Sequence, residues 1–91
     1  MVDKKKIEAG VKLLLEGISY METKEFENGM GIFYKLAQKY PNNHILLVNL
    51  ARCEKECGKI EEAKEHLRQS LLIFSDYSEA LELLEELNNG K

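Results

Sequence analysis

The sequence predicts an all-α fold of five helices, folded back on one another as antiparallel hairpins. Three observations carry this. Apolar residues recur at spacings of three and four. Turn and cap signals interrupt them at regular intervals. The pattern then repeats at a fixed offset: Phe26 and Ile60 are 34 apart (60 − 26), as are Gly29 and Ala63 (63 − 29) and Gly17 and Ala51 (51 − 17). A period of this size marks stacked helical hairpins, which present a surface rather than carry out chemistry.

The first helix is expected over 4–22, capped by Asp3. Ile7, Val11, Leu14, Leu15, Ile18 and Met21 line one face, and Leu13 and Tyr20 form a second stripe beside Gly10 and Gly17. This helix is apolar over more than half its circumference, more than a surface helix needs. Its glycines each cost about 1 kcal/mol of helix propensity relative to alanine, which close approach of a neighbouring helix would offset. Thr23-Lys24-Glu25 is the first turn, with Thr23 as cap of the second helix, 25–39. There Phe26, Gly29, Met30, Phe33, Leu36 and Ala37 face inward until Pro41 stops the run. Asn42-Asn43 caps the third helix, 43–57, which carries Ile45, Leu46, Leu47, Val48, Leu50 and Ala51. Gly58 follows where a left-handed residue is favoured. The fourth helix, 60–74, turns Ile60, Ala63, Leu67, Leu71 and Phe74 inward. After Ser75-Asp76, the fifth, 77–88, sets Ala80, Leu81, Leu83, Leu84 and Leu87 against four glutamates.

Ninety-one residues make one small domain, 1–91. A chain of this size buries only about 60–65% of its unfolded surface, so its stability is modest. The net charge is −3, which gives no excess of positive charge for nucleic acid. No apolar run approaches the roughly 18 residues that span a membrane, and the N-terminus does not read as a secretory signal. Cys53 and Cys57 lie four apart on one helix, where a disulfide would constrain little, so a reducing, cytoplasmic setting is expected. The ends differ in sign: Lys4, Lys5 and Lys6 open the chain, and Glu79, Glu82, Glu85 and Glu86 close it. Solvation is the simple reading of both ends; steering of head-to-tail association is the alternative. Met1 and the caps near both ends fit a complete small chain or a well-cut domain.

Each repeating unit resembles a tetratricopeptide repeat. The second unit, 44–77, carries the family pattern in Leu47, Leu50, Ala51, Gly58, Ile60, Ala63 and Leu67, and departs at Glu54 and Ser75. The first, 10–43, carries it in Leu13, Gly17, Tyr20, Phe26, Gly29, Phe33 and Pro41, and departs at Glu16. The resemblance implies a short right-handed superhelix of two hairpins, closed by the fifth helix, with Gly17 against Gly29 and Ala51 against Ala63 at the crossings. Two repeats are fewer than the three usually needed for independent stability, so the fifth helix closes the array or two copies stack.

The resemblance also implies a concave groove lined by the first helix of each hairpin. By position its residues are Val11, Leu14, Ile18 and Met21, then Ile45, Val48, Arg52 and Lys55. Family members that hold chaperone C-terminal carboxylates place Lys and Asn where Leu14 and Ile18 stand here, so that clamp is absent. An apolar groove suits a peptide or amphipathic helix of another protein, with Arg52 and Lys55 receiving an acidic flank. The same stripe read as ordinary core, or as a homodimer contact, is the competing interpretation. Small type III secretion chaperones are similar in architecture and give a second function; self-assembly gives a third. No catalytic residue, cofactor or metal is expected. His44 and His66 lie on different helices without a serine or carboxylate in triad spacing. Cys53, Cys57 and His66 make only a weak zinc set, and Gly29-Met30-Gly31 sits inside a helical pattern without the rest of a nucleotide fingerprint.

Overall fold

The computed structural model describes residues 3–90. The outer limits of the expected domain, with Met1, lie outside the described residues. Five helices follow in order: α1 (Lys4–Glu22), α2 (Phe26–Lys39), α3 (His44–Glu56), α4 (Ile60–Ile73) and α5 (Ser78–Asn89). Each agrees with its expected span to within a residue or two, and no strand occurs among the described residues. α1 and α2 form one antiparallel hairpin and α3 and α4 a second. α5 packs on α4 and reaches α3. The result is a flat slab of 44 × 29 × 17 Å.

Local chemistry sets the helix ends. The Asp3 carboxylate accepts from the Lys5 N–H at 3.0 Å. The Asn43 side chain accepts from the Ile45 and Leu46 N–H groups at 3.0 and 3.1 Å. These bonds satisfy donors that a helix start leaves open. Thr23 does not cap α2 as expected: the N-cap is Glu25, with no side-chain bond. Thr23 instead ends α1, its hydroxyl 3.1 Å from the Tyr20 carbonyl and 2.7 Å from Glu25 Oε2. The two hairpin turns use the same left-handed position, one repeat period apart: Gly58 at φ 82° and Lys24 at φ 63°.

The crossings need small residues. A Cβ on Gly17 would lie 2.9 Å from Phe33 Cζ and 3.0 Å from Ile32 Cγ2. A Cβ on Gly29 would lie 3.3 Å from Cys53 Sγ and 3.6 Å from the Gly17 carbonyl oxygen. In the second hairpin Ala51 and Ala63 are both fully buried. The core has two parts. Phe33, Leu36, Leu46, Leu50 and Cys53 join the hairpins, with Leu13, Leu14 and Met21 of α1 packed against them. Val48, Ala51, Ala63, Leu67, Ala80 and Leu83 bury α5 against α3 and α4.

Two positions depart from the expected inward pattern. Phe74 is 45% exposed rather than inward, because α4 ends at Ile73 and the chain turns there. Its ring stacks on Tyr77 at 6.0 Å and meets the edge of His44 at 5.1 Å. Glu16 is exposed, although its counterpart in the second repeat, Leu50, is buried against Phe33 and Leu36 of the preceding helix. No helix precedes α1 among the described residues, so the position faces water.

Candidate functional site

The eight residues expected to line the groove separate into two groups. On α1, Val11 is 50% exposed and Ile18 36%, while Leu14 and Met21 are half-buried against the core. Ile7 at 49% and Leu15 at 59% continue the stripe. Spacings of three and four put Ile7, Val11, Leu15 and Ile18 on one helical face. Beside this face, Ile7, Gly10, Val11 and Leu14 meet Leu36, Tyr40, Asn43 and Leu46 around an open cavity of about 240 Å³. One helix thus presents a row of large aliphatic side chains with an apolar recess next to it.

The α3 group is arranged otherwise. Ile45 is 49% exposed and available at the start of the helix. Val48 is 1% exposed, which corrects its expected place on the wall: Ala80 and Leu83 of α5 cover it. Arg52 and Lys55 stay half-exposed but already hold acidic partners. Arg52 donates to Glu79 Oε2 at 2.9 Å, and Lys55 Nζ lies 2.7 Å from Glu86 Oε2. The contact with Glu86 raises the Lys55 pKa. The acidic flank expected from a partner is therefore supplied by α5 itself. The side chains at these positions are banded: aliphatic on α1, basic on α3, acidic on α5.

Reading the residues missed two features of this region. Ile7 and Leu15 share the apolar face of α1 but precede or interleave the repeat positions used to choose groove residues. Glu79 and Glu86 belong to the same face, one repeat period beyond Ile45 and Arg52; extending the period into α5 would have found both.

The polar groups of the interior are structural. Glu54, at 5% exposure, lies 2.8 Å from His66 Nδ1 and links α3 to α4. That hydrogen bond raises the His66 pKa, against the opposing effect of burial. Burial pushes the Cys53 thiol up to about 11, with smaller contributions from Cys57 and Glu54. Such a thiol is protonated near neutral pH and is a poor nucleophile or metal ligand. His66 pairs with Glu54 rather than joining the cysteines. No group of three or more His, Cys, Asp or Glu suited to a metal occurs among the described residues. No helix among them is long and apolar enough to cross a membrane.

A family model described as tetratricopeptide repeat matches residues 20–87. Among solved structures, the TPR domain of Sgt2 from Aspergillus fumigatus is similar, with a TM-score of 0.81 at 26% identity. The match covers 88% of this chain and 53% of that one, so this chain spans about half its length. None of the curated proteins compared with the sequence matches it. Domains of this kind mediate protein–protein interactions. The match over 20–87 takes in the last three residues of α1, all of α2, the second hairpin and nearly all of α5, and the chain belongs to the tetratricopeptide-repeat family.

Proposed function

We propose that this chain is a non-enzymatic, cytoplasmic binding module that holds an amphipathic helix or peptide of another protein against α1. The observation that carries the reading is the unpartnered stripe of Ile7, Val11, Leu15 and Ile18, each at least 36% exposed, beside the recess of Leu36, Tyr40 and Leu46. A helix laid along such a row buries its own residues at spacings of three and four. Leu14 and Ile18 stand where a carboxylate-binding repeat needs polar donors, which favours apolar contacts over capture of a chain terminus. The groove of this proposal consists of Val11, Leu14, Ile18, Met21 and Ile45, with Arg52 and Lys55 as a rim already engaged by α5.

Capture from lysate of the native host, compared between the parent and Val11→Glu, tests this. Val11 is half exposed, so the variant keeps its helical circular dichroism and melting temperature. A partner retained by the parent and lost by the variant is the expected result. Retention by both would place the contact elsewhere. The same stripe would serve a small secretion chaperone, and recovery of one abundant secreted subunit would select that reading.

A further inference from the structure

We propose that a second copy of this chain docks on the α1 stripe through its own α5 and the end of its α4. The proposal rests on the reading of α1 as a docking surface and names one occupant for it.

Apart from Ile45 at the start of α3, the exposed aliphatic residues lie on α1 and around the α4–α5 turn. Ile7, Val11, Leu15 and Ile18 lie on α1. Leu72 at 87%, Ile73 at 41% and Leu81 at 48% lie on either side of the α4–α5 turn. The repeat explains the exposure of Leu81. Leu81 and Leu84 stand one repeat period beyond Leu47 and Leu50, which are 4% and 1% exposed inside the core. α5 has no following helix among the described residues, so Leu81 is left in water and Leu84 half-buried. Glu85 takes the position that Ala51 holds in the close crossing of the second hairpin. This end is thus not shaped to take another tightly crossed helix, and it suits a looser, charge-flanked contact.

The charges of the two ends are complementary. α1 carries Lys4, Lys5, Lys6 and Lys12, and α2 brings Lys35 and Lys39 back towards the same end, where Tyr40 Oη is 3.4 Å from the position of a Gly10 Cβ. Among the described residues none of these six lysines takes part in an ion pair; the anions nearby in sequence are Asp3, Glu8 and Glu16. At the other end Arg52 and Lys55 hold Glu79 and Glu86, which leaves Glu82 and Glu85 in no ion pair among the described residues. α5 is therefore an acidic helix with exposed leucine, and α1 a lysine-rich helix with an exposed aliphatic row. The contact is head-to-tail, α1 of one copy on α5 of the next, so it runs on from copy to copy unless the rotation between copies closes it. Both patches are small, so the association is weak and salt-sensitive.

Sedimentation of the whole chain from about 10 μM to about 1 mM, a range suited to a small interface, tests the proposal. The expected weight-average mass starts at 10.5 kDa, climbs with concentration at low salt, and falls back at about 0.5 M salt. Two charge variants sharpen it: Lys4→Glu/Lys6→Glu/Lys12→Glu, and Glu82→Lys/Glu85→Lys. Each alone should remain monomeric, because its two ends now repel. An equimolar mixture should associate, because each variant's altered end meets its complement. A parent that stays monomeric across the range overturns the proposal, as does association that survives in both variants or a mixture no heavier than its parts. If the parent is monomeric while Val11→Glu still loses a foreign partner, this proposal falls and the binding-module reading stands. Self-association without any Val11-dependent foreign partner gives the reverse.

Discussion

Alanine placed at two glycines of this fold should have opposite effects. Gly17 of α1 is buried at the first crossing, where a Cβ would sit 2.9 and 3.0 Å from two atoms of the Phe33 ring and 3.0 Å from Ile32 Cγ2. Phe33 is 0% exposed, so its ring has nowhere to retreat. Overpacking of this kind costs about 1–3 kcal/mol, and three contacts this short put Gly17→Ala near the upper part of that range. The helix propensity gained from alanine returns about 1 kcal/mol. The net loss is about 1–2 kcal/mol. Gly31 of α2 is exposed, and a Cβ there would meet nothing within 4 Å. Gly31→Ala therefore keeps the propensity gain of about 0.5–1 kcal/mol with no steric cost. For a domain this small, 1 kcal/mol moves the melting temperature by about 4–8 °C. Thermal melts followed by circular dichroism should show Gly17→Ala lowered by roughly 5–15 °C and Gly31→Ala raised by a few degrees. Equal shifts of the same sign would refute the crossing geometry.

Lys24 holds a left-handed conformation that its counterpart Gly58 adopts freely; Lys24→Gly should stabilise by about 0.5–1 kcal/mol in urea unfolding, since the relief of strain exceeds the added unfolded-chain entropy. His66→Ala leaves Glu54 buried without its partner and should cost about 2–4 kcal/mol, whereas Glu54→Leu/His66→Leu should be neutral or stabilising. His66 binds its proton more tightly folded than unfolded, because of the Glu54 bond. Its contribution is then fully present below the unfolded value of about 6.5 and is lost as pH rises through the folded value. Urea midpoints should fall as pH rises above about 6.5 in the parent and change less in the double variant. Arg52→Ala, which removes a pair 37% and 53% exposed, should change stability by only a few tenths of a kcal/mol.

The helices were legible because their ends are written in local chemistry. Asp3, Asn43 and Gly58 act through bonds or backbone angles within a few residues, and Pro41 interrupts the pattern between α2 and α3. The crossings were legible for a different reason: Gly17 with Gly29 and Ala51 with Ala63 recur at the repeat offset. What the residues could not show is which member of a repeating set is covered by the next element. Val48 and Val11 hold neighbouring places in the same pattern, yet Val48 lies under α5 and Val11 lies in water. Arg52 and Lys55 read as free cations until α5 is placed beside them. Glu54 marked a break in the repeat, but its partner His66 is on another helix and emerges only from packing.

The most direct test of α1 as the working surface is the footprint of a captured partner segment on the amide resonances of the chain. Shifts concentrated at residues 7–21 and at the start of α3 near Ile45 are the expected result. Shifts confined to the outer faces of α2 and α4, with α1 silent, would contradict it.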